Sequence, residues 1–280
     1  MIKQYAVLMT CFNRKDVTLR CLKQLYAQQT DAAMDVFLCD DNSSDGTFEA
    51  VRENFPDVYI FKGTGNLFWN RGMLAAWKKA CKTKDYDAYI WLNDDVFLYD
   101  DAIKEMIACS NIYNDKSIIC GAFCSEKGKF SYGGRKKDNS PLIPDGTMQE
   151  VYWLNGNCVL VPRYVVNKIG LLDDMFQHHL GDFDYGLRAR EAGCTVVTTR
   201  KYLGECTPNQ IKNNRARKSG LSLIGRFKRL YSPMGDHPFI QFRYMFRHFG
   251  MKKAFMIFLA LHYNNLLSDR QYARKISHKH

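Results

Sequence analysis

No GxGxxG fingerprint follows the first apolar segment of this 280-residue chain, which argues against a dinucleotide-dependent oxidoreductase. The Gly-rich, basic phosphate signature of nucleotidyltransferases is missing from the same place, although that class shares a similar nucleotide-binding sheet. The ten cysteines include no CxxC pair, and no histidines stand near them at zinc-finger spacing. Most sit in apolar runs, where a thiol acts as a small hydrophobe, so a reducing compartment is expected, with neither a disulfide framework nor a structural zinc. Long hydrophobic runs are absent too. Ala254 to Leu261 is far shorter than the roughly 20 residues a membrane-spanning helix needs. Tyr5 to Thr10 is only of strand length and runs at once into Asn13, Arg14, Lys15 and Asp16, so no secretory signal is read and a cytosolic location is expected. There is no internal repeat.

Acidic residues are scarce in one region only. Residues 200–280 carry 3 Asp+Glu against 17 Lys+Arg, whereas residues 1–199 carry 26 against 23, so the net charge of +11 belongs to the C-terminal part. Such a tail suits nucleic acid, an anionic membrane surface or a phosphorylated acceptor.

Apolar strand-like runs alternate with amphipathic stretches through the first half, the rhythm of βα units in a mostly parallel sheet. Strands are predicted at Tyr5 to Thr10, Met34 to Asp40, Val58 to Lys62, Tyr86 to Leu92 and Ser117 to Phe123. Helices are predicted between them at Lys15 to Gln28, Thr47 to Asn54, Asn70 to Lys82 and Asp101 to Asn114. The Gly-, Lys-, Ser- and Pro-rich segment Cys124 to Asp145 reads as an insertion or flexible loop. Beyond it come strands at Glu150 to Trp153 and Cys158 to Val161, helices at Arg163 to Ile169 and Asp182 to Ala192, and a strand at Thr195 to Thr199. From about Asn209 the chain turns basic and helical.

Ligands of open α/β sheets bind beyond the carboxyl ends of the strands, and four polar clusters fall there: Cys11 to Arg14, Asp40 to Thr47, Gly63 to Arg71 and Asn93 to Asp95. Tyr89 to Val96 is a buried strand that delivers adjacent carboxylates to its end, where their oxygens can hold Mg²⁺ or Mn²⁺ and so neutralise a diphosphate. Read blandly, Asn93 to Asp95 caps a turn. In Asp40 to Thr47 the carboxylates can accept hydrogen bonds from a base or ribose, with Ser43 and Ser44 as donors; alternatively Asp45 or Ser44 caps the helix that follows.

The run Val7 to Arg14, followed by Asp40-Asp41-Asn42-Ser43-Ser44-Asp45-Gly46-Thr47, resembles the family 2 glycosyltransferases with the GT-A fold in order and spacing. The resemblance covers about residues 4–206. It implies an open mixed, mostly parallel sheet flanked by helices at residues 1–206, with a basic helical extension at 207–280. It also implies a metal-binding element at Asn93-Asp94-Asp95, with Asp95 as the Mn²⁺ or Mg²⁺ ligand and Asp94 beside it on the donor. Asp41 would contact the nucleotide, and Thr10, Asn13 and Ser43 would line its pocket.

Gly63 to Gly72 resembles the loop before the helix under the donor, which brings in Asn66 and Arg71; Arg71 pairs with the diphosphate or stands as a solvated helix residue. His178 to Arg190 looks like the acceptor-side acidic motif, which makes Asp182 the general base of a single displacement with inversion and lets Asp184 orient the acceptor. Both can equally be helix N-terminal acids favoured by the macrodipole. Trp153, in a segment like the family's acceptor loop, stacks on a sugar or belongs to the core. One departure stands out. Many relatives carry a metal-binding histidine where this chain reads Tyr202-Leu203-Gly204-Glu205-Cys206, which leaves Glu205 as a substitute ligand or a site with fewer protein ligands.

The resemblance implies transfer from a UDP- or dTDP-sugar to a saccharide, lipid-linked in surface polysaccharide assembly, at the inner face of the plasma membrane. Motifs like Gly181 to Arg190 and Asn66 to Gly72 are similar to those of rhamnosyl- and galactofuranosyltransferases. No nucleic-acid partner is expected. The rival readings are a nucleotidyltransferase and a non-catalytic membrane- or nucleic-acid-binding protein driven by the tail. Its basic and aromatic residues, Arg226 to Tyr231 and Gln241 to Lys253, form a solvated face or dock on a membrane surface.

Overall fold

The computed structural model describes residues 1–208 and 215–277. Residues 209–214, where the basic stretch begins, lie outside them. The chain divides into two compact units, Met1–Pro208 and Asn209–His280.

The first unit runs β1 (Gln4–Cys11), α1 (Lys15–Tyr26), β2 (Ala33–Asp40), α2 (Thr47–Asn54), β3 (Tyr59–Lys62), α3 (Phe68–Thr83), β4 (Ala88–Leu92), β5 (Phe97–Leu98), α4 (Ala102–Ile112), β6 (Ile118–Cys124), β7 (Phe130–Tyr132), β8 (Cys158–Pro162), α5 (Arg163–Ile169), α6 (Gly181–Glu191) and β9 (Val196–Glu205). Eight strands lie in the order β3-β2-β1-β4-β8-β6-β9-β5, and β7 pairs with β6. From β3 to β4 every ladder is parallel; β8 then runs antiparallel to both β4 and β6, β9 lies parallel to β6, and β5 closes the edge antiparallel to β9.

Both faces of the sheet are covered, and the side chains of the central strands alternate between them. Tyr5, Val7 and Met9 of β1 and Ile90 and Leu92 of β4 pack with Leu22 and Leu25 of α1 and Met106 of α4. Ala6, Leu8, Tyr89 and Trp91 face the other way, onto Met73 and Trp77 of α3 and Tyr185 of α6. Burial on both sides explains why β4 reads as the unbroken apolar run Ala88–Leu92. Besides the short β5, which no expected strand covers, these points differ from the sequence expectation. The segment expected to be a strand at Glu150 to Trp153 makes only isolated bridges, Glu150 to Val197 and Trp153 to Arg135. The expected loop after Cys124 contains β7, and β9 extends to Glu205.

Glu105 of α4 fastens that helix to β9: its Oε2 accepts from Arg200 Nη2 at 2.7 Å and its Oε1 from Arg200 Nε at 3.0 Å. Burial pushes the Glu105 pKa up, but the Arg200 hydrogen bonds outweigh it and hold the carboxyl below its ordinary 4.5. A depressed carboxyl pKa stabilises the fold above the unfolded value, and that contribution disappears as pH falls through the folded value. Glu105→Gln is therefore expected to lose about 2 kcal/mol at neutral pH. Urea unfolding repeated in acid, well below the ordinary glutamate range, should show the gap from wild type closing.

The second unit comprises α7 (Leu223–Leu230), α8 (Pro238–Phe249), α9 (Met251–Leu266) and α10 (Asp269–Ser277). Proline opens α8, where a missing N–H leaves nothing unpaired, and Gly250 separates it from α9 at a φ of 85°. Buried Arg217 pairs with Asp269 at 2.8 Å and donates to the carbonyls of Asn264 and Leu267, which ties the end of α9 to the start of α10.

Candidate active site

The loops after β1, β2 and β4 are tied together by short polar contacts. Asn13, at a φ of 52°, donates its N–H to Ser43 Oγ at 2.9 Å and accepts from the Ser44 N–H at 2.8 Å. Thr10 Oγ1 donates to the Cys39 carbonyl at 3.1 Å. Gly72 lets α3 reach the end of β1, since a Cβ there would stand 2.3 Å from Thr10 Oγ1. The close approach is to the protein's own strand.

Asp41 is buried, and its carboxylate accepts from the N–H groups of Gly65, Leu67 and Phe68 at 2.8, 2.8 and 3.0 Å. It thus shapes the loop Gly63 to Phe68 from the end of β2. Phe68 starts α3 at a φ of 57°, and Leu180 precedes α6 at 73°, both in the left-handed region that bulky side chains rarely adopt. Backbone strain of this kind clusters at ligand clamps and active sites. Asn66 is exposed on the same loop, and its carbonyl accepts from Gln177. Arg71, one turn into α3, donates its Nε to the Asp174 carbonyl at 2.8 Å.

At the end of β4 the two carboxylates share one cation. Arg14 Nη1 lies 3.1 Å from Asp94 Oδ1 and 2.9 Å from Asp95 Oδ2. Asp94 is buried behind, with its other oxygen at Thr18 Oγ1, and burial lifts its pKa to about 6 although Arg14 pulls the other way. Asp95 is partly exposed, yet its Oδ1 is buried without a hydrogen-bond partner. An orphaned anionic oxygen suits a divalent cation, and Mg²⁺-type sites commonly take one or two carboxylates together with the substrate's phosphates and water. Among the described residues no three His, Cys, Asp or Glu side chains cluster to hold an ion. The donor set therefore fits an ion that arrives with part of its own shell, with Asp95 foremost and Asp94 beside it.

Glu205 accepts from Tyr99 Oη at 3.4 Å and lines a groove with Arg20 and Phe97. Its neighbour Cys206 is buried: its sulfur accepts from Asn157 Nδ2 at 3.3 Å, and burial together with Asp95 keeps the thiol neutral, with a pKa of about 12.

A continuous chain of contacts leads from this corner to Asp182. Trp69 Nε1 donates to Asn93 Oδ1 at 2.7 Å, and the Asn93 N–H donates to the Asn157 carbonyl at 2.8 Å. Gly156 packs on the Trp69 ring, which a Cβ would approach to 2.7 Å, and donates its N–H to Asp182 Oδ2 at 3.0 Å. Burial raises the Asp182 pKa above its ordinary 3.8 against the opposing hydrogen bonds from Phe183 and Gly156. Trp153 stands beside α6, its ring 5.7 Å from that of Phe183 and its Nε1 on the Lys137 carbonyl. Asp184 points elsewhere. It is fully buried, paired with Arg188 at 2.8 Å, in the packing of α6.

The family model for glycosyl transferase family 2 matches residues 6–175, a span that includes β1, the Asp40 to Thr47 element and Asn93 to Asp95. The chain belongs to glycosyl transferase family 2. Its fold is that of solved S. aureus TarS structures at 12–13% identity. Against TarS residues 1–349 the TM-score is 0.57, over 94% of this chain and 71% of that one. The same TarS fragment in complex with UDP-GlcNAc gives 0.59 over 94% and 72%, and in complex with UDP 0.58 over 92% and 70%. No curated protein matches the sequence. This family 2 chain thus has the α/β, GT-A-like architecture expected for it, and among its described residues no helix is long and apolar enough to cross a membrane.

Arg14, Asn157 and Cys206 carry geometry that sequence reading did not assign to the site. For Arg14 the only signal was its place beside Asn13 in the first polar cluster; nothing along the chain foretells a carboxylate partner 80 residues away.

Proposed function

We propose that this family 2 chain transfers a sugar from a nucleoside diphosphate sugar, with UDP or dTDP as the carrier, to a hydroxyl of a saccharide acceptor by a single displacement with inversion. The observation that carries the reading is the contact chain from Asp95 and Asn93 through Asn157 and Gly156 to Asp182, which sets a carboxylate of raised pKa beside a corner suited to a diphosphate. UDP is favoured because the TarS structures that share the fold were solved with UDP and UDP-GlcNAc.

Thr10, Asn13, Ser43 and Asn66 border the nucleotide, and Asp41 holds the loop that closes over it. Asp182 takes the proton of the acceptor hydroxyl as that oxygen attacks the anomeric carbon, and its raised pKa brings it nearer the pH at which a base must work. Arg71 and Arg14 supply positive charge to the departing diphosphate. When bound at Asp95, Mn²⁺ or Mg²⁺ would supply Lewis-acid neutralisation of that same charge. Trp153 offers a face to the acceptor sugar. The acceptor belongs to surface polysaccharide assembly on a lipid carrier, on the cytoplasmic side.

The test is thermal unfolding with UDP, dTDP, GDP and CMP, each with and without Mn²⁺, because a ligand that binds only the native state raises its melting point. A shift with UDP or dTDP that grows with Mn²⁺ is expected. Equal shifts with all four nucleotides, or none in a folded protein, would remove the donor site from the reading.

A further inference from the structure

Large hydrophobic side chains left in water are unevenly distributed among the described residues: 14 of the 22 that stand exposed fall between Leu223 and Ile276. Scattered singly they would need no explanation, but a contiguous apolar face marks a surface that something covers. On α9 the pattern is regular. Phe255, Met256, Leu259, Tyr263 and Leu266 recur at three- and four-residue steps and are 52–63% exposed. The opposite side of the helix carries Ala254, Leu261 and Asn265, which are buried, with half-buried Phe258 between them. At 3.6 residues per turn these are two stripes facing away from each other, and α9 shows its more apolar one to water. Lys252 lies at the head of that stripe with Lys253 next to it, and α8 contributes exposed Phe239, Arg243 and Phe246 at the same spacing.

We propose that α8 and α9 dock the second unit on an anionic lipid surface, with the Phe255–Leu259–Leu266 stripe in the acyl boundary and the neighbouring lysines and arginines at the headgroups. Charge decides the occupant. Residues 215–277 carry 13 Lys+Arg and only 2 Asp+Glu, so the face that must be covered is surrounded by one sign. A second copy of the chain would bring the same positive field against itself, and lysine is depleted at the centre of protein interfaces. Nucleic acid would satisfy the charge but leave the leucine and phenylalanine stripe uncovered. An anionic bilayer satisfies both, because basic residues interleaved with Phe and Leu are the composition of helices that lie in the interface plane. With 16 residues α9 is too short to span the hydrocarbon core, so it lies on the membrane. The inference stands apart from the proposed transfer reaction, and its test contains no sugar nucleotide.

The experiment is flotation of the full chain with vesicles of phosphatidylcholine alone and of phosphatidylcholine with phosphatidylglycerol in equal parts. The protein is expected to float with the anionic vesicles only, and raising salt to about 0.5 M should weaken binding by roughly tenfold or more. A Phe255→Ser, Leu259→Ser variant should lose at least about tenfold with its charge intact. A Lys252→Glu, Lys253→Glu variant should lose its preference for anionic lipid with the apolar stripe intact. All four side chains are exposed, so circular dichroism and melting should match wild type. Equal flotation with neutral vesicles, no flotation, or variants that float like wild type would overturn the proposal. So would a dimer in light scattering that the Phe255/Leu259 variant breaks while flotation is unchanged, or RNA binding that persists in both variants when lipid binding is absent.

Discussion

An Asp182→Asn protein is expected to bind UDP with Mn²⁺ nearly as wild type does while transfer falls roughly a thousandfold, the scale of a lost general base. Asparagine keeps the size of the side chain and one oxygen to accept from Gly156, so the hydrogen-bonded link to that loop can survive. What it cannot do is take a proton. The pH dependence separates this role from mere positioning. Because burial raises the Asp182 pKa, the acid limb of wild-type kcat/KM should lie above the ordinary aspartate value of 3.8, with activity lost as pH falls through it. That limb should be absent from the residual rate of the variant. Asp184→Asn provides the contrast: it breaks a fully buried pair with Arg188, so the expected loss is about 3 kcal/mol of stability, with transfer retained in the protein that folds. Undiminished transfer by Asp182→Asn, measured with a saturating donor, would falsify the base assignment.

The different fates of these two aspartates show where the sequence is legible. Periodicity located α6, but residues two apart on a helix point about 200° from each other, so Asp182 and Asp184 cannot both face one ligand. Burial on both faces of the sheet made β1, β2 and β4 readable as apolar runs, and their carboxyl ends located the polar clusters. Short elements gave no such signal. The two-residue β5 exists because β9 is there to pair with it, and Glu150 to Trp153 has a strand-like composition but finds only isolated bridges. The site's wiring was the least legible part. Asp41 reads as a nucleotide contact by its place in the motif, while in the fold its carboxylate collects three backbone N–H groups of a loop 24 to 27 residues on. Such pairings depend on which strand ends meet in space.

Arg14 and Asp95 give the second large effect, because one guanidinium and any divalent cation draw on the same pair of carboxylates. Arg14 Nη1 bridges Asp94 and Asp95, and without that charge two adjacent carboxylates, one of them buried with a pKa of about 6, would repel each other. Mn²⁺ alone is therefore expected to bind weakly to the wild-type protein. A diphosphate changes the balance, since it offers Arg14 another anionic partner and leaves Asp95 to the cation. Arg14→Gln should bind Mn²⁺ without nucleotide roughly tenfold more tightly, the gain from removing one nearby positive charge that is half-exposed and so screened by a dielectric close to that of water. The same variant should bind UDP less well. Asp95→Ala should do the reverse to the metal, abolishing the Mn²⁺-dependent part of the UDP melting shift, and should let the Asp94 pKa fall once its like-charged neighbour is gone. Titration of free Mn²⁺ by its paramagnetic resonance signal reads all three proteins without any transfer assay. Identical Mn²⁺ affinity in wild type and Arg14→Gln would show that the guanidinium does not contest the site, and Arg14 would then serve only to hold the end of β4 against α1.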